Sequence, residues 1–184
     1  MQNIGEEICG EYLNHVKLCD FVTYNVTTPD TQGEIDVIGI ALNKKAIYVC
    51  EVAVHTQGLQ YVTNKRPDDY NRFMAKFDKD IQYARKYFPD YEICPMLWSP
   101  VVKVSSAKAK YNTLMELERL VSDIKDRFGL ELVLVINHKF KQALEELKKC
   151  AANEKAELKS NVMRMLQIEM SLEKHLVRLG KNNG

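Results

Sequence analysis

Apolar residues recur along this chain with two periods, one helical and one alternating. Ile4, Ile8, Tyr12 or Leu13, and Val16 fall at helical spacing and predict a helix over residues 3–16. Residues 21–26 alternate and are rich in β-formers, a short strand. Residues 27–33 have the composition of a turn or loop. Residues 34–42 and 46–54 are two apolar, β-branched runs separated by Asn43-Lys44-Lys45, a hairpin in which Asn43 can take the left-handed position. The second run is almost continuously apolar, so it reads as a central strand buried on both faces. Residues 57–70 are polar and irregular. A helix over 68–87 follows, ended by Pro89, with Phe73, Phe77, Ile81, Ala84 and Phe88 as its apolar stripe. Next come a strand over 93–104, a helix over 111–128, a strand over 131–136 and a helix over 139–150. A charged helix over 154–179 closes the chain. The order α-β-β-β-α-β-α-β-α-α predicts an α/β fold, a mixed central sheet of about five strands flanked by helices, with extra C-terminal helices.

A length of 184 residues suits one main domain, expected over 1–150, with 151–184 as a closing helix that packs on the core or dimerises. Met163, Met165 and Met170 would make such a dimer surface adaptable. Five cysteines form no CxxC pair and sit mostly in apolar runs, which predicts reduced thiols and a cytoplasmic location. The first residues carry no basic and apolar leader, and no apolar stretch approaches the roughly 20 residues that span a bilayer, so neither a signal peptide nor a membrane partner is expected. The formal net charge of +1 excludes a bulk polyanion binder. It conceals a split. Residues 1–60 carry 3 Lys and Arg against 8 Asp and Glu, whereas residues 61–110 carry 10 against 6. A cation site beside a phosphate-facing segment would produce that division.

Two charges break the apolar pattern where it is strongest. Asp36 lies between Ile35 and Val37, and Glu51 between Cys50 and Val52. A carboxylate buried in a core strand costs several kcal/mol unless a cation or hydrogen-bond donors offset it. On adjacent antiparallel strands, near the ends away from the turn, the two can converge on one divalent ion. Ligation by oxygen alone selects Mg²⁺ or Mn²⁺ over Zn²⁺.

Gly33-Glu34-Ile35-Asp36-Val37-Ile38-Gly39, a hairpin, and then Val49-Cys50-Glu51-Val52-Ala53 resemble the core of the PD-(D/E)XK nucleases. The branches most similar in appearance are the Holliday-junction-resolvase-like and Mrr-like ones. The preceding Gly5-Glu6-Glu7-Ile8-Cys9-Gly10-Glu11-Tyr12-Leu13 resembles the family's N-terminal Gly-Glu helix, and the whole resemblance covers roughly residues 3–104. It implies a restriction-endonuclease-like fold, Asp36 and Glu51 as metal ligands, and Glu6 as the helix carboxylate, with Glu7 as the near alternative. Glu34, two residues from Asp36, could share its face. The implied activity is metal-dependent hydrolysis of DNA phosphodiesters, by an endonuclease serving restriction, defence or repair.

The family's lysine would fall at position 53, which is Ala53 here. Lysines displaced to a neighbouring element are known in the superfamily, so the resemblance allows two outcomes. Either another cation replaces it, Lys76 first and then His55, with Lys79 and Arg72 as further candidates and as DNA contacts. Or the nuclease is degenerate and serves as a nucleic-acid-binding or assembly module. Lys76 and Lys79 fall opposite the Phe73–Phe77–Ile81 stripe, and Tyr83 and Tyr87 also lie off it. That face suits either nucleic acid or solvation and ordinary packing. Trp98-Ser99-Pro100 is expected to close a sheet edge or pack a core. Walker, GxGxxG, HExxH and GxSxG motifs are absent from the sequence.

Overall fold

A computed structural model describes residues 3–29, 33–106 and 109–182; residues 30–32 of the expected loop lie outside these. The elements are α1 (Ile4–His15), β1 (Phe21–Thr27), β2 (Glu34–Ala41), β3 (Ala46–Val52), β4 (Val62–Thr63), β5 (Arg66–Pro67), α2 (Asp69–Tyr87), β6 (Glu92–Ser99), α3 (Thr113–Phe128), β7 (Val133–Ile136), α4 (His138–Asn153) and α5 (Asn161–Asn182). Five strands form one mixed sheet in the order β1-β2-β3-β6-β7. β1, β2 and β3 are antiparallel neighbours, whereas β3, β6 and β7 run parallel. The fold is therefore α/β, with the sheet between two helical layers.

Alternation along β3 shows how the layers are separated. Tyr48 and Cys50 pack with Cys9 and Leu13 of α1 and Phe140 and Ala143 of α4. Ile47 and Val49 pack with Ala84 of α2 on the other face, where α2 and α3 also bury Phe73, Phe77, Ile81, Leu117, Leu120 and Ile124. A strand with both faces covered has to be apolar throughout, as the 46–52 run is. Trp98 is fully buried on the interior strand β6, between Tyr12 and Phe140, so it packs the core and does not close an edge.

Several boundaries differ from the sequence expectation. The hairpin turn spans Leu42–Lys45, and Lys45, not Asn43, takes the left-handed conformation at φ 48°. A four-residue loop closed by Lys45 N–H donating to the Leu42 carbonyl places that conformation at its last residue. β6 stops at Ser99 because Pro100 has no N–H to continue the ladder. Beyond it, Asn137 clamps the chain, accepting from the Val102 N–H and donating to its carbonyl.

The closing helix begins at Asn161, not at 154. Its start is fixed from α1: Glu7 accepts hydrogen bonds from Ser160 Oγ at 2.9 Å and from the Val162 N–H at 3.3 Å. Val162, Met163 and Leu166 then bury against Leu147 and Ala151 of α4, so Met163 is core and unavailable to a partner. Further along, Met165, Ile168, Leu172, Leu176 and Leu179 are exposed. Among the described residues no helix is long and apolar enough to cross a membrane.

Candidate active site

The β2–β3 ladder stops at the pair Val37–Cys50. One step further the strands would bring Asp36 opposite Glu51, and there a side chain replaces the backbone partner. Asp36 Oδ2 accepts the Val52 N–H at 2.8 Å. On the other side of Asp36, the β1–β2 register passes from Tyr24–Val37 to Val26–Ile35, leaving Asn25 opposite Asp36 with φ 51°. Asparagine tolerates that left-handed geometry better than most residues. The ladder thus opens on both sides of Asp36, at the ends of the strands away from the turn.

Glu51 points to the α2 face and is fully buried. Lys76, about two turns into α2, reaches it there: its Nζ forms a close ion pair with Glu51 Oε2 and lies 3.6 Å from Asp36 Oδ2. Burial acts to lower the pKa of this ammonium, but the two carboxylates outweigh it and hold the pKa above the usual lysine range. Glu51 is shifted upward by burial first, and then by the neighbouring Asp80 and Asp36 carboxylates, against the opposing pull of Lys76. Ala53 is 3% exposed, packed in the cluster that includes Leu59, Phe73 and Phe77. The cation at the two carboxylates therefore comes from the helix, while Ala53, just past the end of β3, offers only a methyl group.

Lys76 does not sit opposite the apolar stripe of α2. The buried face of the helix includes Asp69, Phe73, Phe77, Asp80, Ile81 and Ala84, and Lys76 borders it. Lys79 is 11% exposed; it donates to the Glu34 carbonyl at 2.6 Å and lies 3.3 Å from Asp80 Oδ1, so it is engaged within the fold. Glu34 contributes that backbone oxygen to the site's surroundings, and its side chain is exposed.

Glu6 is buried at the head of α1, where it closes a capping box with Asn3 and accepts from Asn25 Nδ2 at 3.2 Å. It thus reaches the strand position beside Asp36 through Asn25. Glu7 is committed to α5, and Glu11 pairs with His15. His55 lies beyond the end of β3 and is exposed, so strand alternation does not carry it onto the Glu51 face. It instead meets the Tyr61 ring edge-on at 5.5 Å, while Arg72 lies over the same ring at 4.0 Å. His55, Tyr61 and Arg72 form an aromatic and basic rim. Tyr83 is partly buried, meeting the Phe88 ring at the edge of the cluster below β3 and the exposed Tyr87 ring beside it.

Asp80 was not distinguished by the sequence pattern. It is fully buried beside Glu51, and its carboxyl is pushed up to about 6, by burial above all. The signal it does carry is position: it falls seven residues after Phe73, three after Phe77 and four before Ala84, on the apolar stripe itself.

The donor set suits a hard divalent cation. Asp36 and Glu51 present only oxygens, and Glu51 Oε1 is buried with no hydrogen-bond partner. Among the described residues no group of three or more His, Cys, Asp or Glu side chains is arranged to hold a metal ion. Asp36 and Glu51 would hold a cation as a pair, leaving its other positions to water and phosphate oxygens, as Mg²⁺ commonly requires. No family model, curated protein or solved structure matches the chain.

Proposed function

We propose that this protein is a Mg²⁺- or Mn²⁺-dependent deoxyribonuclease, an endonuclease in restriction, defence or repair. The observation that carries the reading is the delivery of Lys76 from α2 to Asp36 and Glu51, at the strand position where Ala53 supplies no cation. A bound divalent ion supplies polarisation of a phosphoryl oxygen and a water of lowered pKa. Asp36 and Glu51 would hold that ion. Asp36 is fixed in place by the Val52 N–H, and Glu51 by burial in β3. Lys76, whose side chain is 31% exposed, stands beside those carboxylates and would donate to the phosphoryl oxygen on which negative charge builds. Arg72, seated on Tyr61, and His55 offer the DNA backbone contacts at the rim. The exposed stripe Met165–Ile168–Leu172–Leu176–Leu179 supports pairing of two copies, which would supply the two cuts a duplex needs. Five free thiols suit the cytoplasm.

A second reading, a non-cleaving nucleic-acid-binding module, is favoured by one feature: Lys76 neutralises the carboxylates without a metal. Plasmid and short duplex DNA incubated with purified protein and Mg²⁺ or Mn²⁺ separate the two. Cleavage that vanishes with EDTA and in Asp36→Asn and Glu51→Gln supports the nuclease. Robust cleavage by either variant overturns the assignment, and DNA binding without cleavage across substrates replaces it with the second reading.

A further inference from the structure

Shortly after Glu51 the chain makes a small ribbon. β4 and β5 pair through Val62–Pro67 and Thr63–Arg66, with Asn64 and Lys65 as the turn between them. Both turn residues are left-handed, with φ of 50° and 62°. That is the geometry of a type I′ hairpin, whose second turn position is the usual place for glycine. A lysine there carries a conformational cost that glycine would not. The base of the ribbon is fastened. The Asp68 N–H donates to the Tyr61 carbonyl at 2.9 Å, and the Tyr61 N–H donates to the buried Asp69 at 2.6 Å. The Tyr61 ring meets Phe73 of α2 edge-on at 5.6 Å and carries Arg72 over its face at 4.0 Å. Burial raises the Tyr61 phenol above its ordinary range, and the charges of Lys76, Arg72, Asp36 and Glu51 act on it as well. The ribbon therefore springs from the border of the Asp36–Glu51–Lys76 group, and residues 62–66 are all exposed.

We propose that the β4–β5 ribbon enters the major groove of duplex DNA beside the cleaved phosphate, with Asn64 and Arg66 reading base edges and Lys65 closing on a backbone phosphate. The inference rests on the nuclease reading and deepens it, giving sequence choice to a segment outside the Asp36–Glu51–Lys76 group. Three features select this partner. A two-stranded ribbon fits the major groove, which is roughly 12 Å wide. Arginine and asparagine match guanine and adenine there through paired hydrogen bonds, and the ribbon presents one of each. The side chains of Lys65 and Arg66 make no hydrogen bond or ion pair among the described residues, so the strained lysine gains nothing inside its own fold. Between Tyr61 and Asp68 the sequence holds no acid that would repel a polyanion.

Duplex binding by the full chain in EDTA tests the ribbon apart from metal-dependent cleavage. Selection from a randomised duplex pool should enrich a preferred sequence with the wild type. Arg66→Ala is expected to bind that sequence about tenfold more weakly and to lose the preference at one or more base pairs. Replacing the purines at those pairs by 7-deaza analogues, which lack the N7 acceptor, should weaken wild-type binding about tenfold and leave Arg66→Ala unchanged. Lys65→Gly should melt no lower than the wild type, because glycine suits the turn. It should nevertheless bind duplex severalfold more weakly, with a salt slope smaller in magnitude by about one. A wild type that enriches no sequence, or an equal loss on every sequence with no 7-deaza effect, overturns the groove reading. Wild-type affinity and preference in both variants overturns it too, and metal-dependent cleavage by the same protein then leaves the nuclease reading standing. The expected variant effects in a protein that cuts no DNA support the ribbon and overturn the nuclease. A wild type that neither binds nor cuts DNA removes both.

Discussion

Two buried carboxylates on α2 are handled in opposite ways. Asp69, at the first turn, has no solvent exposure, yet both of its oxygens are used: Oδ1 accepts the Tyr61 N–H, and Oδ2 accepts the Tyr111 hydroxyl at 2.7 Å. The Tyr111 phenol is correspondingly held far above its ordinary range, by burial and then by the Asp69 bond. Asp80, three turns later, is equally buried and is answered by a cation in place of hydrogen-bonded neutral donors, the Lys79 ammonium lying 3.3 Å from its Oδ1. Its neighbour Glu51 is answered by Lys76 through one oxygen alone. Burial of an acid is therefore not in itself a sign of function. Asp69 ties Tyr61 and Tyr111, just ahead of α3, to α2, and both of its oxygens are hydrogen-bonded. The Asp36–Glu51–Lys76 group leaves Glu51 Oε1 without a hydrogen-bond donor at the open ends of two strands, and that imbalance favours it as the proposed site.

The largest expected effect comes from breaking the charged side of this comparison. Lys76→Met should lower cleavage at least about a hundredfold, since an aimed donor to developing charge is typically worth that much. It should also destabilise the fold by about 3 kcal/mol, because the Glu51 carboxylate is left buried without its cation. The double variant Lys76→Met/Glu51→Gln should regain most of that stability while staying inactive. Denaturant melts and cleavage assays on the four proteins of the cycle read both quantities. A double variant no more stable than Lys76→Met would show that the ion pair is not the source of the loss.

Asp69 should behave in the reverse sense. Asp69→Asn removes a charged acceptor from two buried donors and is expected to cost about 2 kcal/mol, with Tyr111→Phe costing about 1 kcal/mol. Neither should change the cleavage rate of the folded protein once stability is allowed for. A Tyr111→Phe variant that melts normally but cleaves a hundredfold more slowly would erase the distinction between the matched and unmatched acids.

This contrast also marks what the sequence could reveal. The sheet, the hairpin and the separation of layers follow from alternation and apolar runs, which are local signals. Asp36 and Glu51 stand out because a charge in a run as apolar as 46–52 has no inexpensive explanation. Lys76 came from the family resemblance and the helix that follows the hairpin, and the structure brings it to both carboxylates. Asp80 falls at helical spacing from Phe73, Phe77 and Ala84, on the apolar stripe, but the charged run Asp78-Lys79-Asp80 masks that position. Its burial depends on the rotation of α2 against β3, which the spacing of aromatic residues fixes only to within a residue. Lys79 looked like a free cation for the same reason. Glu7 escapes any local reading, since its partners at 160 and 162 lie at the other end of the chain.

The smallest expected effect lies at the rim, where solvent moderates every charge. Arg72 is exposed and rests on Tyr61, so removing it deprives no buried group of a partner. Arg72→Ala should leave stability within about 0.5 kcal/mol of the wild type. If Arg72 contacts a DNA phosphate, the variant should bind duplex severalfold more weakly, and the slope of log affinity against log salt should fall in magnitude by about one. The cleavage rate at saturating DNA should not move, since the arginine holds the backbone and not the reacting phosphate. A lower saturating rate with an unchanged salt slope would move Arg72 from the rim into the group around Glu51, and the boundary between matched surface and unmatched centre would have to be drawn one turn nearer the start of α2.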